Sequence, residues 1–147
     1  MKSMLRCLGL VCVLILFGAG ITALQAGEEN MIRVKITVGE HMLYADFLDN
    51  ATSRSLIAKF PLTLPMKDLY DREMCHRFTE ALPAHEAGTS GYAVGDIAYW
   101  TPWHSFVIFY EQNGEIIDHL QKIGRITSGV EIFAKTGDTD VKFDLAK

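Results

Sequence analysis

Cysteine all but disappears from this chain beyond its first 26 residues. Cys7 and Cys12 lie in that opening stretch and Cys75 alone follows it. A disulfide within the remaining domain is therefore excluded, even where an oxidising compartment would allow one. A lone thiol beside His76 raises the question of a nucleophile, but thiolate activation needs an electropositive setting and an orienting partner. Neither is legible, and an ordinary half-buried cysteine is the expectation. Clusters of basic residues are missing as well. The formal net charge is −4, and removal of Lys2 and Arg6 with the first 26 residues takes it to −6. An acidic domain repels a phosphate backbone, which excludes nucleic acid as a partner. Cys75, His76, His85 and Glu86 do not repeat a zinc-type spacing, so neither metal nor cofactor is expected. Repeats, low-complexity tracts and linkers are likewise lacking, and 147 residues suffice for one domain rather than two.

What is present begins with a leader. Lys2 and Arg6 precede an apolar run over residues 8–17, and small residues follow as far as Ala26. That order predicts a secretory signal over residues 1–26, cut near Ala26 and Gly27, and an exported domain over residues 27–147, periplasmic or secreted. The apolar run falls short of the ~20 residues that span a bilayer. An uncleaved anchor is the alternative, and the only membrane attachment expected.

From Met31 the pattern has period two. Ile32, Val34, Ile36 and Val38 alternate with polar residues, and Leu43, Ala45 and Phe47 repeat the pattern after a turn at Gly39. Two strands joined as a hairpin are predicted. Asp49 and Asn50 then offer caps to a short amphipathic helix carrying Leu56, Ile57 and Phe60, laid against an open barrel end and closed by Pro61. Residues 62–69 read as extended, with Pro65 suggesting an edge or a bulge. Residues 70–91 read as loop with a short strand near residues 74–78. Residues 97–100 and 106–110 are continuously apolar and joined by a turn at residues 101–104, so this hairpin is predicted to be covered on both faces. A turn at residues 112–115, a strand over 120–126, a helical turn over 130–134 and a final strand with Val141, Phe143 and Leu145 complete the pattern. Asp96, after Gly95, is expected to fix a turn through its own backbone.

The order and spacing of Leu48-Asp49-Asn50, the run from Phe60 to Leu64, the run from Gly95 to Trp100, Pro102-Trp103, residues 106–110 and Ile123-Gly124-Arg125-Ile126 are similar to those of small bacterial cyclophilin-like domains. The one departure is His104-Ser105, where the family pattern has a small turn residue followed by asparagine. The resemblance implies a mainly β fold, a closed or nearly closed cyclophilin-like barrel capped by one or two short helices. It also raises the activity of cyclophilins, cis/trans isomerisation of prolyl bonds, whose barrier of ~18–20 kcal/mol is lowered by stabilising the twisted amide. Cyclophilins bring an arginine, a glutamine, aromatics and a histidine to the barrel face. Set on the matching strands, this chain has Phe106 for the glutamine, Ile108 for an aromatic, Glu115 for the tryptophan and Leu120 for the histidine. His119 falls one place off, on the opposite face of a regular strand. Arg77 is the one candidate for the arginine.

Most of the isomerase apparatus is thus missing, and fold does not carry function by itself. Aromatics concentrate around the central hairpin instead. Phe106 and one of Tyr99 or Trp100 are expected in the core, whereas Trp103 sits in the turn, where an exposed tryptophan serves binding. The candidate ligand-binding residues are Arg77, Tyr99, Trp100, Trp103 and His104; no catalytic residue is assigned. The chain reads as a monomeric, non-catalytic binding module for a small molecule or an extended peptide. A divergent prolyl isomerase acting on envelope or secreted proteins is the alternative.

Overall fold

The structure is a computed structural model that describes residues 29–147. The predicted leader lies outside the described residues. Among the described residues, nine antiparallel strands form one sheet. They are β1 (Met31–Val38), β2 (His41–Leu48), β3 (Leu62–Leu69), β4 (Glu73–Arg77), β5 (Gly88–Ser90), β6 (Asp96–Trp100), β7 (Ser105–Phe109), β8 (Ile117–Ile126) and β9 (Thr139–Leu145). The spatial order is β2-β1-β9-β3-β4-β7-β6-β8-β5, and β2 also pairs with β8. That last pairing closes eight strands into a barrel and leaves β5 outside as a flap on β8. The expected closed barrel is the one observed.

Alternation explains the interior. Val34, Ile36, Ala45, Phe47, Ile97, Tyr99, Phe106, Ile108 and Phe143 are almost wholly buried and belong to one cluster. Each comes from every second position of its strand, as a barrel wall with one inward face requires. At the closing seam, Phe47 sits opposite Gly124 and Asp46 opposite Arg125. Gly124 has no room for a side chain there: an added Cβ would meet the Asp46 carbonyl oxygen and approach Phe47 Cα to 2.9 Å.

Helix α1 (Ala51–Ile57) begins at Asn50, whose side chain accepts from the Ser53 N–H at 2.9 Å. Its amide also donates to the Lys122 carbonyl at 2.9 Å, so one side chain both caps the helix and ties it to β8. Leu56 on this helix is 1% exposed and joins the core. Asn50→Ala removes both bonds and is expected to cost about 1–2 kcal/mol, read as a lowered midpoint of thermal unfolding. An unchanged midpoint would show the cap to be dispensable. After β8, a 3-10 turn (Val130–Ile132) runs into α2 (Phe133–Thr136), and both Val130 and Phe133 enter the core.

Pro65 is not at a sheet edge, because β3 pairs with both β9 and β4. The β4 ladder starts only at Lys67, however, and the Pro65 carbonyl on that side meets His76 Nδ1 at 2.9 Å. A missing N–H costs no ladder bond where the ladder has already ended. Strand β5 was not expected within residues 70–91; its three residues, Gly88–Ser90, carry no apolar alternation to announce it.

Candidate functional site

The central hairpin β6–β7 is apolar on both faces, and both faces are used. Its inward residues join the main core, while Ala98, Val107 and Phe109 form a second cluster on the outside of the barrel with Cys75, Tyr92 and Leu120. Tyr92 stacks on Phe109 with ring centroids 4.0 Å apart. This outer cover is incomplete. Between β4, β7 and the start of β8 it leaves an open groove of about 530 Å³, with Cys75, Val107, Phe109 and Leu120 on its floor. Residues 115–119 make one long wall. A volume of this size suits a small ligand or a short peptide segment.

Strand pairing fixes the ends of the groove. Arg77 lies opposite Ser105, Ser105 opposite Trp100, and Trp100 opposite Leu120, which sets these four in one transverse row. Four residues back along β4, Glu73 lies opposite Phe109. At ~3.3 Å per residue the two rows are about 13 Å apart.

The Glu73 end is closed by charge. Arg72 is 8% exposed and Glu73 6%, and the guanidinium donates twice to Glu73 Oε2, from Nη2 at 2.6 Å and from Nε at 3.1 Å. Its Nη1 donates to Glu115, which reaches in from the loop before β8. The cation lies 5.5, 5.6 and 5.7 Å from the rings of Tyr70, Tyr92 and Phe109. Burial pushes the Glu73 carboxyl above its usual range, and the neighbouring Arg72 offsets this only in part. The other end is open. There the Arg77 guanidinium lies on the Trp103 ring, with Cζ 4.3 Å from the centroid.

Among the described residues, four non-glycine residues have left-handed backbone: Tyr70 (φ 61°), Asp71 (48°), His104 (51°) and His119 (58°). Each costs on the order of 1–2 kcal/mol relative to ordinary backbone. All four border the groove. Tyr70 and His119 line it, and Asp71 and His104 adjoin the lining residues Arg72 and Ser105.

Cys75 is 4% exposed, and burial pushes its thiol up, only partly countered by Ser105. A thiol so held is a poor nucleophile at neutral pH. Among the described residues no three His, Cys, Asp or Glu side chains converge to hold a metal ion. Asp96 is a structural anchor: it accepts from the Ala93 N–H at 2.8 Å, from Lys122 at 2.9 Å and from Arg125 at 2.8 Å. Burial would raise its pKa, but these three donors outweigh burial and leave it lowered.

Of the residues singled out from sequence, Arg77 and Trp100 line the groove. Trp103 is 58% exposed and flanks the groove through its stack on Arg77. His104 is in the left-handed turn beside it, and its carbonyl accepts from the Phe78 N–H at 3.0 Å. Tyr99 is elsewhere. It is fully buried in the barrel, and its hydroxyl accepts from the Leu82 N–H at 2.9 Å. Adjacent strand residues face opposite ways, so Tyr99 and Trp100 cannot share one site. The same rule keeps Phe106 and Ile108 out of the groove, Phe106 in the core as expected. Both point into the core, while Ser105, Val107 and Phe109 present the groove face. His119 is not turned away from Leu120 either, because its left-handed backbone breaks the alternation and both residues line the groove. Arg72, Glu73 and the wall residues Ile116 and Ile117 were not anticipated.

The comparisons with known proteins agree with this architecture. The model of the cyclophilin-like family matches residues 36–144. None of the curated proteins matches the chain. Among solved structures, the solution structure of a hypothetical protein from Archaeoglobus fulgidus is similar, with a TM-score of 0.64 and 17% identity over 82% of this chain and 99% of that one. At that identity the likeness is one of fold.

Proposed function

This chain belongs to the cyclophilin-like family, and on that premise we propose that it is an exported binding module holding a small molecule or an extended peptide in the groove outside its barrel. The single observation that carries the reading is the unfilled groove. Val107, Phe109 and Leu120 are packed into the outer cluster, yet above them, among the described residues, a groove of about 530 Å³ stays open beside the exposed Ile116. The left-handed residues around the rim support it, since backbone strain of this kind gathers at functional sites. The charge and apolar pattern of residues 1–26 supports export.

A groove-filling substitution tests the site. Val107→Phe sets a ring on the floor without touching the barrel interior. Any ligand found for the protein by NMR screening of small acids, amides and X-Pro peptides is expected to bind Val107→Phe at least ~10-fold more weakly, measured below the lowered unfolding midpoint that a ring in the packed second cluster brings. Undiminished binding would place the ligand somewhere else.

A second reading, divergent prolyl isomerase, draws on the position of Arg77 beside an apolar floor. It requires that the protein accelerate cis/trans exchange of X-Pro peptides and that Arg77→Ala abolish the acceleration. A binding module shows peptide shifts without faster exchange.

A further inference from the structure

Resting on the binding reading, we propose that the groove selects ligands bearing a carboxylate, which Arg77 receives while an apolar body lies along Val107 and Phe109. The charged residues that line the groove carry the case by elimination. Arg72, Glu73 and Glu115 are tied to one another. Asp118 accepts from the Thr89 hydroxyl at 2.7 Å and lies 3.3 Å from His119 Nε2. Arg77 alone makes no ion pair among the described residues: it stacks on Trp103 and meets only the uncharged Cys75 thiol.

The geometry around Arg77 points to the ligand's shape. Trp103 covers one flat face of the guanidinium, which holds the plane and leaves the N–H groups along its edge available. That edge is a fork matched to the two oxygens of a carboxylate. From Arg77 the groove runs about 13 Å at strand spacing to the Glu73 row, over the packed side chains of Val107 and Phe109 and along the exposed apolar wall at Ile116. At the far end two carboxylates, Glu73 and Glu115, already pair with Arg72, so a second anion is repelled there. The fitting ligand therefore has one anionic head and an uncharged apolar tail. A free carboxylic acid and the C-terminus of a peptide share this chemistry.

The readout is built in, because Trp100 and Trp103 are the two tryptophans of the chain and both stand at the Arg77 end. Four probes are titrated against intrinsic fluorescence: 4-phenylbutyric acid, its primary amide, and an apolar tetrapeptide with a free or an amidated C-terminus. At least one acid is expected to bind ~10-fold or more tightly than its amide. Preference for the small acid alone identifies a free acid as the source, and preference in the peptide pair a chain terminus. Arg77→Met is expected to erase the difference, Arg77→Lys to restore part of it, and Arg54→Met on α1 to leave it unchanged. Equal binding of acid and amide, or a preference that survives Arg77→Met, overturns the carboxylate proposal and leaves the groove reading standing. No saturable signal with any probe, together with no ligand from the NMR screen, overturns both.

Discussion

Gly124→Ala is expected to cost this protein about 3 kcal/mol or more, a fall in the unfolding midpoint on the order of 10 °C. The backbone conformation is not the reason, since alanine adopts an ordinary strand angle without penalty. The reason is the seam. Gly124 faces Phe47 across the one pairing that turns an open sheet into a barrel, and the atoms an added methyl meets are the Asp46 carbonyl and the Phe47 Cα. These are backbone atoms fixed by the β1–β2 ladder on their other side, so neither can swing away as a side chain tip would. Glycine is used here for close approach of two chains. Gly39 provides the control: it sits in a turn with nothing within 4 Å of an added Cβ, so Gly39→Ala meets no clash and costs only its left-handed backbone, ~1–2 kcal/mol. Calorimetry that found Gly124→Ala no less stable than Gly39→Ala would contradict the seam as drawn.

Arg72→Met carries the second large effect. It strips the partner from Glu73, a carboxylate only 6% exposed, and breaking such a buried pair from one side costs about 3–5 kcal/mol at neutral pH. Two features separate this from a generic packing loss. Arg72→Met combined with Glu73→Gln is expected to recover much of the deficit, because no buried charge is then left unpaired. The deficit should also shrink in acid. Burial already raises the Glu73 pKa in the folded protein above its ordinary 4.5, and losing Arg72 raises it further. The proton bound by the folded state then stabilises it fully below about 4.5, and that contribution is lost as pH rises through the folded value. A deficit unchanged between pH 7 and pH 4, and not relieved in the double variant, would show that the pair contributes nothing beyond its methylenes.

The sequence was most legible where one face is wet. Strands β1, β2 and β9 announce themselves by strict alternation, and Asn50 announces α1 by its capping chemistry. It was least legible where both faces are dry. In β6 and β7 an unbroken apolar run says that two faces are covered, but it carries no parity. Tyr99 and Trp100, or Phe106 and Val107, can each be assigned to either side, and the choice is made by the closing of the barrel. Grouping Tyr99 with Trp100 in the site is one such parity error. His119 fails for another reason: at φ 58° it leaves the extended region, and counting by twos stops being valid at that residue. The Arg72–Glu73–Glu115 cluster gave no signal at all, since adjacent opposite charges in a sequence ordinarily mark a solvated surface. Arg77 was singled out by the resemblance to cyclophilins and Trp100 by the aromatics gathered around the central hairpin, and both line the groove.

The most direct measurement is a two-dimensional 15N NMR titration of the protein with 4-phenylbutyric acid, its amide and X-Pro tetrapeptides. Occupation of the outer groove predicts shifts in the indole signals of Trp100 and Trp103 and in the amides of Val107, Phe109 and Leu120, while the amides of Arg33 and Lys35 on β1 stay still. Shifts gathered on β1 and β2, or at the barrel end covered by α1, with both indole signals unmoved, would contradict it.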